Sequence, residues 1–120
     1  MKILIVDDSA TQRLIVRSIV DNYDKNFETI EVTDGRGALE YINKGDIKLV
    51  FSDINMEPMS GTELVAEVNK TDIECIFAFI TSHLTESMQD QAKELGVQYY
   101  LTKPITQEKI ENVLKEVFSD

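Results

Sequence analysis

Five side chains in this sequence stand at or just beyond the ends of apolar runs and carry acid, hydroxyl or amine chemistry. ILIV (residues 3–6) runs straight into Asp7 and Asp8, and VFS (50–52) into Asp53. IFAFI (76–80) runs into Thr81, and Lys103 closely follows YYL (99–101). Adjacent carboxylates repel, and crowding them is unfavourable unless a positive charge compensates. Three aspartates brought together would suit a hard, oxygen-seeking cation. Mg²⁺ fits best, with Mn²⁺ as its alternative, because it takes one or two protein carboxylates, keeps waters and shares phosphate oxygens. Two carboxylates can then hold the metal while the third acts as a nucleophile toward a phosphoryl group, forming an aspartyl phosphate. Such a transfer needs positioning and charge neutralisation more than covalent help. Lys103 offers a point charge and Thr81 a hydroxyl donor. Taken singly these residues say little: a strand-terminal Asp is most often a cap or turn former, and most Lys-Pro lysines are solvated. Their shared position at strand ends is what gives them weight.

Whether they meet depends on the elements that carry them. KILIV (2–6), IKLVFS (47–52) and CIFAFI (75–80) read as strands. FETIEVT (27–33) alternates and reads as a half-exposed strand, and VQYYL (97–101) as a short one. Between them the spacing predicts helices. The first spans Ser9 to Val20, with a capping-box match at Ser9 and Gln12 and an apolar stripe through Leu14, Ile15, Ile19 and Val20. Three more follow: Gly37 to Asn43, closed by Gly45; Ser60 to Asn69, with a second capping box at Ser60 and Glu63; and Thr85 to Leu95, ending at Gly96. The last helix, capped by Thr106, has Ile110, Val113, Leu114, Val117 and Phe118 on one face, with Ile105 and Ile110 as a hydrophobic staple. Five β–α units imply an α/β, doubly wound, flavodoxin-like fold: a five-stranded parallel sheet with helices on both faces. The continuous apolar runs belong inside and the alternating and short ones at the edges, which gives strand order 2-1-3-4-5. In that order ligands bind beyond the strand C-termini, at the switch between strands 1 and 3. Asp7, Asp8 and Asp53 lie there.

The 120 residues are read as one domain, 1–120, with no output domain and no linker or repeat. The formal charge of −10 and the absence of a basic cluster argue against nucleic acid. No signal peptide or apolar run of membrane-spanning length is visible, so the expected setting is cytoplasmic, away from membranes. Cys75 is alone in CIFAFI and reads as a small buried hydrophobe, not a nucleophile.

With Asp7-Asp8, the DINM stretch opening on Asp53, Gly61 eight residues later, Thr81 and Lys103-Pro104 in place, the sequence resembles the receiver domains of two-component response regulators. The likeness covers essentially the whole chain and is strongest to stand-alone, chemotaxis-type receivers. It implies that Asp53 is the phosphoacceptor and that Asp8 and Asp53 ligate Mg²⁺, with Asp7 acting mainly through water and Asn55 through its backbone carbonyl. It implies that Lys103 contacts the phosphoryl group beside a cis Lys103–Pro104 peptide, and that Thr81 and Tyr100 form the switch pair which remodels the face of helix 4, strand 5 and helix 5. It further implies a sensor histidine kinase or phosphotransfer protein as donor, a separate downstream protein as target, a monomer, and no turnover of external substrate. Three departures stand out. Pro58 is displaced by one residue behind Glu57, Ser82 replaces a smaller residue, and His83 occupies a variable position where, with Asn55, it would tune phosphoryl lifetime; a solvated loop residue is an equal reading of His83. Tyr99 and Tyr100 must face opposite sides of their strand. The helix over Thr85 to Leu95 has only a thin stripe of Leu84, Met88, Ala92 and Leu95. Other functions on this fold are a Mg²⁺-dependent phosphohydrolase with an Asp nucleophile, a flavin module, which the two charges of DDSATQ disfavour, and a docking module that is never phosphorylated.

Overall fold

Among the described residues, strand and helix alternate as ten elements. They are β1 (Lys2–Val6), α1 (Ala10–Tyr23), β2 (Glu28–Val32), α2 (Gly35–Lys44), β3 (Ile47–Asp53), α3 (Gly61–Asn69), β4 (Ile76–Thr81), α4 (Glu86–Glu94), β5 (Tyr99–Thr102) and α5 (Gln107–Phe118). The structure is a computed structural model, and it describes residues 2–119. The strands pair in parallel in the order β2-β1-β3-β4-β5. β1, β3 and β4 are almost wholly buried, whereas β2 and β5 at the edges are partly exposed. No helix among the described residues is long and apolar enough to cross a membrane.

Strand alternation divides the core into two layers. Ile3, Ile5, Leu49, Phe51, Ala78 and Ile80 face α1 and α5, where Val16, Val20, Ile110 and Leu114 complete the packing. Leu4, Val6, Val50, Phe77 and Phe79 face the other side, against Ala38 and Ile42 of α2, Leu64, Val65 and Val68 of α3, and Ala92 of α4. Tyr99 packs into the first layer and Tyr100 into the second, as adjacent strand residues must. Ala92 is the one fully buried residue of α4, with Met88 and Leu95 half-buried beside it.

Several boundaries and faces differ from the sequence reading, and α1 runs on to Tyr23, three residues beyond Val20. Leu14 and Ile15 are 61% and 37% exposed, and Val16 is the buried residue of that run. Arg13 and Arg17 set the rotation of α1, because both donate to the Glu31 carboxylate on β2. Ser9 caps α1 through the Gln12 N–H, but the return half of the capping box is missing. The Ser9 N–H already donates to Asp7 Oδ1, and Gln12 Oε1 is buried without a partner. α2 begins at Gly35, two residues early, because the Asp34 side chain caps it. β5 begins at Tyr99, because Val97 is used to close α4. Gly96 at φ +90° lets its own N–H reach the Lys93 carbonyl and the Val97 N–H reach that of Ala92. At Ser60 the capping box forms in full.

Cys75 lies just before β4, half-buried on a cleft of about 400 Å³ at the far end of the sheet from Asp53. Burial pushes its thiol up to about 11. At neutral pH iodoacetamide should therefore alkylate it far more slowly in the folded protein than in urea. Equal rates by intact mass would show that the thiol is not shielded.

Candidate functional site

The facing of each strand decides which polar residue ends which layer. Asp7 continues Ile3 and Ile5, Asp53 continues Leu49 and Phe51, and Lys103 continues Tyr99 and Leu101, so all three close the α1/α5 layer. Thr81 continues Phe77 and Phe79 and closes the opposite layer. Tyr100 is on that second face too, one step back from Thr102, the register partner of Thr81.

Carboxylate oxygens of Asp7, Asp8 and Asp53 lie within 4.8 Å of one another. Asp7 and Asp53 are buried and Asp8 is exposed. Asp7 Oδ1 accepts the Ser9 N–H at 2.9 Å, and Asp53 Oδ1 accepts the Ile54 N–H at 2.8 Å. The Lys103 ammonium stands 3.7 Å from Asp7 Oδ2 and 3.7 Å from Asp53 Oδ2. It is therefore shared between two acids and committed to neither. Asp8, Asn55, Met56, Glu57 and Ser60 line an open cleft of about 430 Å³ beside the cluster. The loop after Asp53 closes tightly, because the Gly61 N–H donates to the Ile54 carbonyl at 2.8 Å despite the displaced proline. The Lys103–Pro104 and Glu57–Pro58 peptides are both cis. Thr81 is buried, and its hydroxyl exchanges two long hydrogen bonds, each 3.3 Å, with the backbone of His83. Ser82 and His83 are exposed. The Tyr100 hydroxyl donates to the Val97 carbonyl.

One contributor was absent from the sequence reading. Arg13 donates to the Asp7 carbonyl at 2.7 Å and to Glu31 at 3.2 Å, tying the peptide between the two aspartates to β2. Hydrogen bonds from Arg17 and then Arg13 hold the Glu31 carboxyl below its usual range. The only sequence signal was a basic residue one turn into the helix that follows the two aspartates.

The Asp7 carboxyl is pushed above the usual aspartate range, mainly by burial. The nearby Asp53 charge adds to the shift, while the Ser9 N–H and Lys103 oppose it. A raised folded-state pKa means that the folded protein binds the proton more tightly than the unfolded chain. The metal-free protein thus loses stability as pH rises from the ordinary aspartate range through the raised value. Asp7→Asn removes this penalty and keeps the acceptor for Ser9. In EDTA it should melt a few degrees higher than the parent at neutral pH, and in excess Mg²⁺ the order should reverse. Thermal melts in the two buffers would show an error in this charge balance if both shifts had the same sign.

Residues 3–115 match the family profile described as response regulator receiver domain. The chain belongs to the response-regulator receiver family. This receiver is 35% identical to the chemotaxis protein CheY-3 of Vibrio cholerae, over 98% of this chain and 92% of that protein. It is 32% identical to the chemotaxis protein CheY of Pseudomonas aeruginosa, over 98% and 96%. Among solved structures it superposes on V. cholerae CheY4 with a TM-score of 0.88 at 28% identity, covering 98% of each chain. The receiver is thus CheY-like and a signalling domain by family, which displaces the phosphohydrolase and flavin readings. Its acidic cluster can coordinate a divalent metal: all its side-chain donors are hard oxygens, and the exposed acid opens onto a cleft with room for waters.

Proposed function

We propose that this receiver is a phosphorylation-controlled switch in which Asp53 accepts a phosphoryl group from a histidine kinase or phosphotransfer protein. The observation that carries this reading is the Lys103 ammonium held 3.7 Å from both Asp7 and Asp53, among carboxylate oxygens packed within 4.8 Å. Three acids at that spacing favour a dication, and the equidistant lysine can follow whichever oxygen carries negative charge. Asp8 and Asp53, with the Asn55 carbonyl and Asp7 through water, would hold Mg²⁺ or Mn²⁺. The bound ion supplies charge neutralisation for the phosphoryl oxygens. A carboxylate oxygen of Asp53 bonds to phosphorus as the P–N bond of the donor phosphohistidine breaks, and the imidazole leaves with that electron pair. Ile54 N–H fixes the plane of the attacking carboxylate, and Lys103 balances the incoming charge.

The Thr81 hydroxyl is held only by the two long bonds to His83, so a phosphoryl oxygen can compete for it. Its movement would free space beside Tyr100, on the same face, and alter the surface of α4, β5 and α5. The thin packing of α4 supports that direction of change. Asn55 lines the open cleft, and His83 is exposed two residues beyond Thr81; the two would set how fast water reaches the acyl phosphate. The relatives are covered over nine-tenths of their length, which supports an output delivered to a separate protein, with the receiver acting as one domain.

The test is intact mass during incubation with acetyl phosphate and Mg²⁺. One phosphoryl addition that needs the divalent ion and decays on standing is expected. No addition, with Mg²⁺ binding and the fold demonstrated, would overturn the reading in favour of a docking module.

A further inference from the structure

Lys109 stands in the first turn of α5, where the helix dipole disfavours a positive charge. Its ammonium folds back out of the helix. It donates to the Thr102 carbonyl at 2.7 Å and the Pro104 carbonyl at 3.2 Å, with the Thr102 hydroxyl at 3.4 Å. Those two carbonyls belong to the residues on either side of Lys103. The Lys103 N–H itself donates to the Thr81 carbonyl at 2.8 Å. The backbone around Lys103 is therefore pinned from two directions, by the end of β4 and by a side chain of α5. This matters because β5 is a short edge strand, and the flexible stem of Lys103 must bring its ammonium to a point between two acids.

We infer that Lys109 is a positioning residue, which places the Lys103 ammonium between Asp7 and Asp53 by clamping the carbonyls of the residues on both sides of it. The inference rests on the proposed role of Lys103 in phosphoryl transfer. Lys109 touches no carboxylate of the cluster in this arrangement, so it acts through Lys103 alone.

Lys109→Met keeps the stem and removes the donors. At saturating Mg²⁺ its phosphorylation by acetyl phosphate should slow about tenfold, the scale expected when a reacting group is slightly misplaced. Lys109→Arg, which keeps charge and donors, should recover most of the rate. Mg²⁺ affinity should not fall, because the metal-holding acids follow β1 and end β3, away from Lys109, and a displaced Lys103 competes less with the ion. Thermal stability should fall only slightly, because relief of an unfavourable dipole contact partly offsets the lost hydrogen bonds; a merely structural role would lower stability and leave the rate of the folded protein unchanged. In a Lys103→Met background, adding Lys109→Met should change the rate no further. A wild-type rate for Lys109→Met, or the same fractional slowing with Lys103 already absent, would overturn the inference. A second readout does not need phosphorylation. In the metal-free protein, acetylation of Lys103 by an amine-reactive reagent, mapped by mass, should rise severalfold in Lys109→Met, and an unchanged rate would overturn the clamp. A wild-type protein that takes no phosphoryl group sinks the proposed function instead, and the labelling then decides the role of Lys109 on its own.

Discussion

Asp53→Asn will take no phosphoryl group from acetyl phosphate in Mg²⁺ under conditions that fully load the parent. The substitution removes the nucleophile and leaves the shape almost unchanged. An amide oxygen still accepts the Ile54 N–H, and the side chain is the same size in its buried slot. It also removes one of two charges that hold Lys103, and one of three that favour a dication. Mg²⁺ affinity should therefore fall, while the metal-free protein should not lose stability, since the repulsion from Asp53 that helps raise the Asp7 carboxyl is gone. Intact mass reads the adduct, and a melt in EDTA reads the fold. An adduct of undiminished extent on Asp53→Asn would move the nucleophile to Asp7 or Asp8, and peptide mapping would say which.

Gly61→Ala should be strongly destabilising. A Cβ built there meets the Asp53 carbonyl oxygen at 2.6 Å, the Ile54 Cα at 3.1 Å and the Phe79 ring at 3.2 Å. The first two are backbone of the strand end that carries the site, so they cannot swing aside. Relief requires α3 to move away from β3, breaking the Gly61 N–H bond to Ile54. Overpacking of a core typically costs about 1–3 kcal/mol. With backbone on the receiving side, about 3 kcal/mol is expected, which lowers the melting midpoint by roughly 10–20 °C in a domain of this size. The same shift displaces the Asp53 peptide, so phosphorylation should slow as well. Gly37→Ala is the control: its Cβ finds only ordinary contact with Val32 at 3.7 Å, and it should be neutral or slightly stabilising. A Gly61→Ala midpoint close to that of Gly37→Ala would show that α3 slides without penalty.

Strand order, layer count and the meeting of Asp7, Asp8, Asp53 and Lys103 were legible because they depend on apolar period and on topology, which act through many residues at once. What escaped depends on single contacts. The phase of α1 could not be read from three consecutive apolar residues, Leu14 to Val16. It is set by two arginines reaching one glutamate on a strand that is distant in sequence. The Ser9–Gln12 box fails because the acid site uses the Ser9 N–H first. Val97 looks like strand, yet the backbone closure of α4 takes it. In each case a local motif lost to a partner that only the folded chain supplies.

A one-residue insertion or deletion inside β1 or β3 would reverse the facing of every residue beyond it. Asp7 or Asp53 would then end the layer of α2, α3 and α4, and Lys103 would face one acid in place of two. The stretch from Asp53 to Gly61 is equally constrained, because its length lets the Gly61 N–H reach Ile54. The turns at 24–27, 45–46 and 70–75 lie at the opposite rim of the sheet and hold none of the site's groups. Added or lost residues can therefore be absorbed there, so this chain can change length at one rim while the count of residues at the carboxylate end stays fixed.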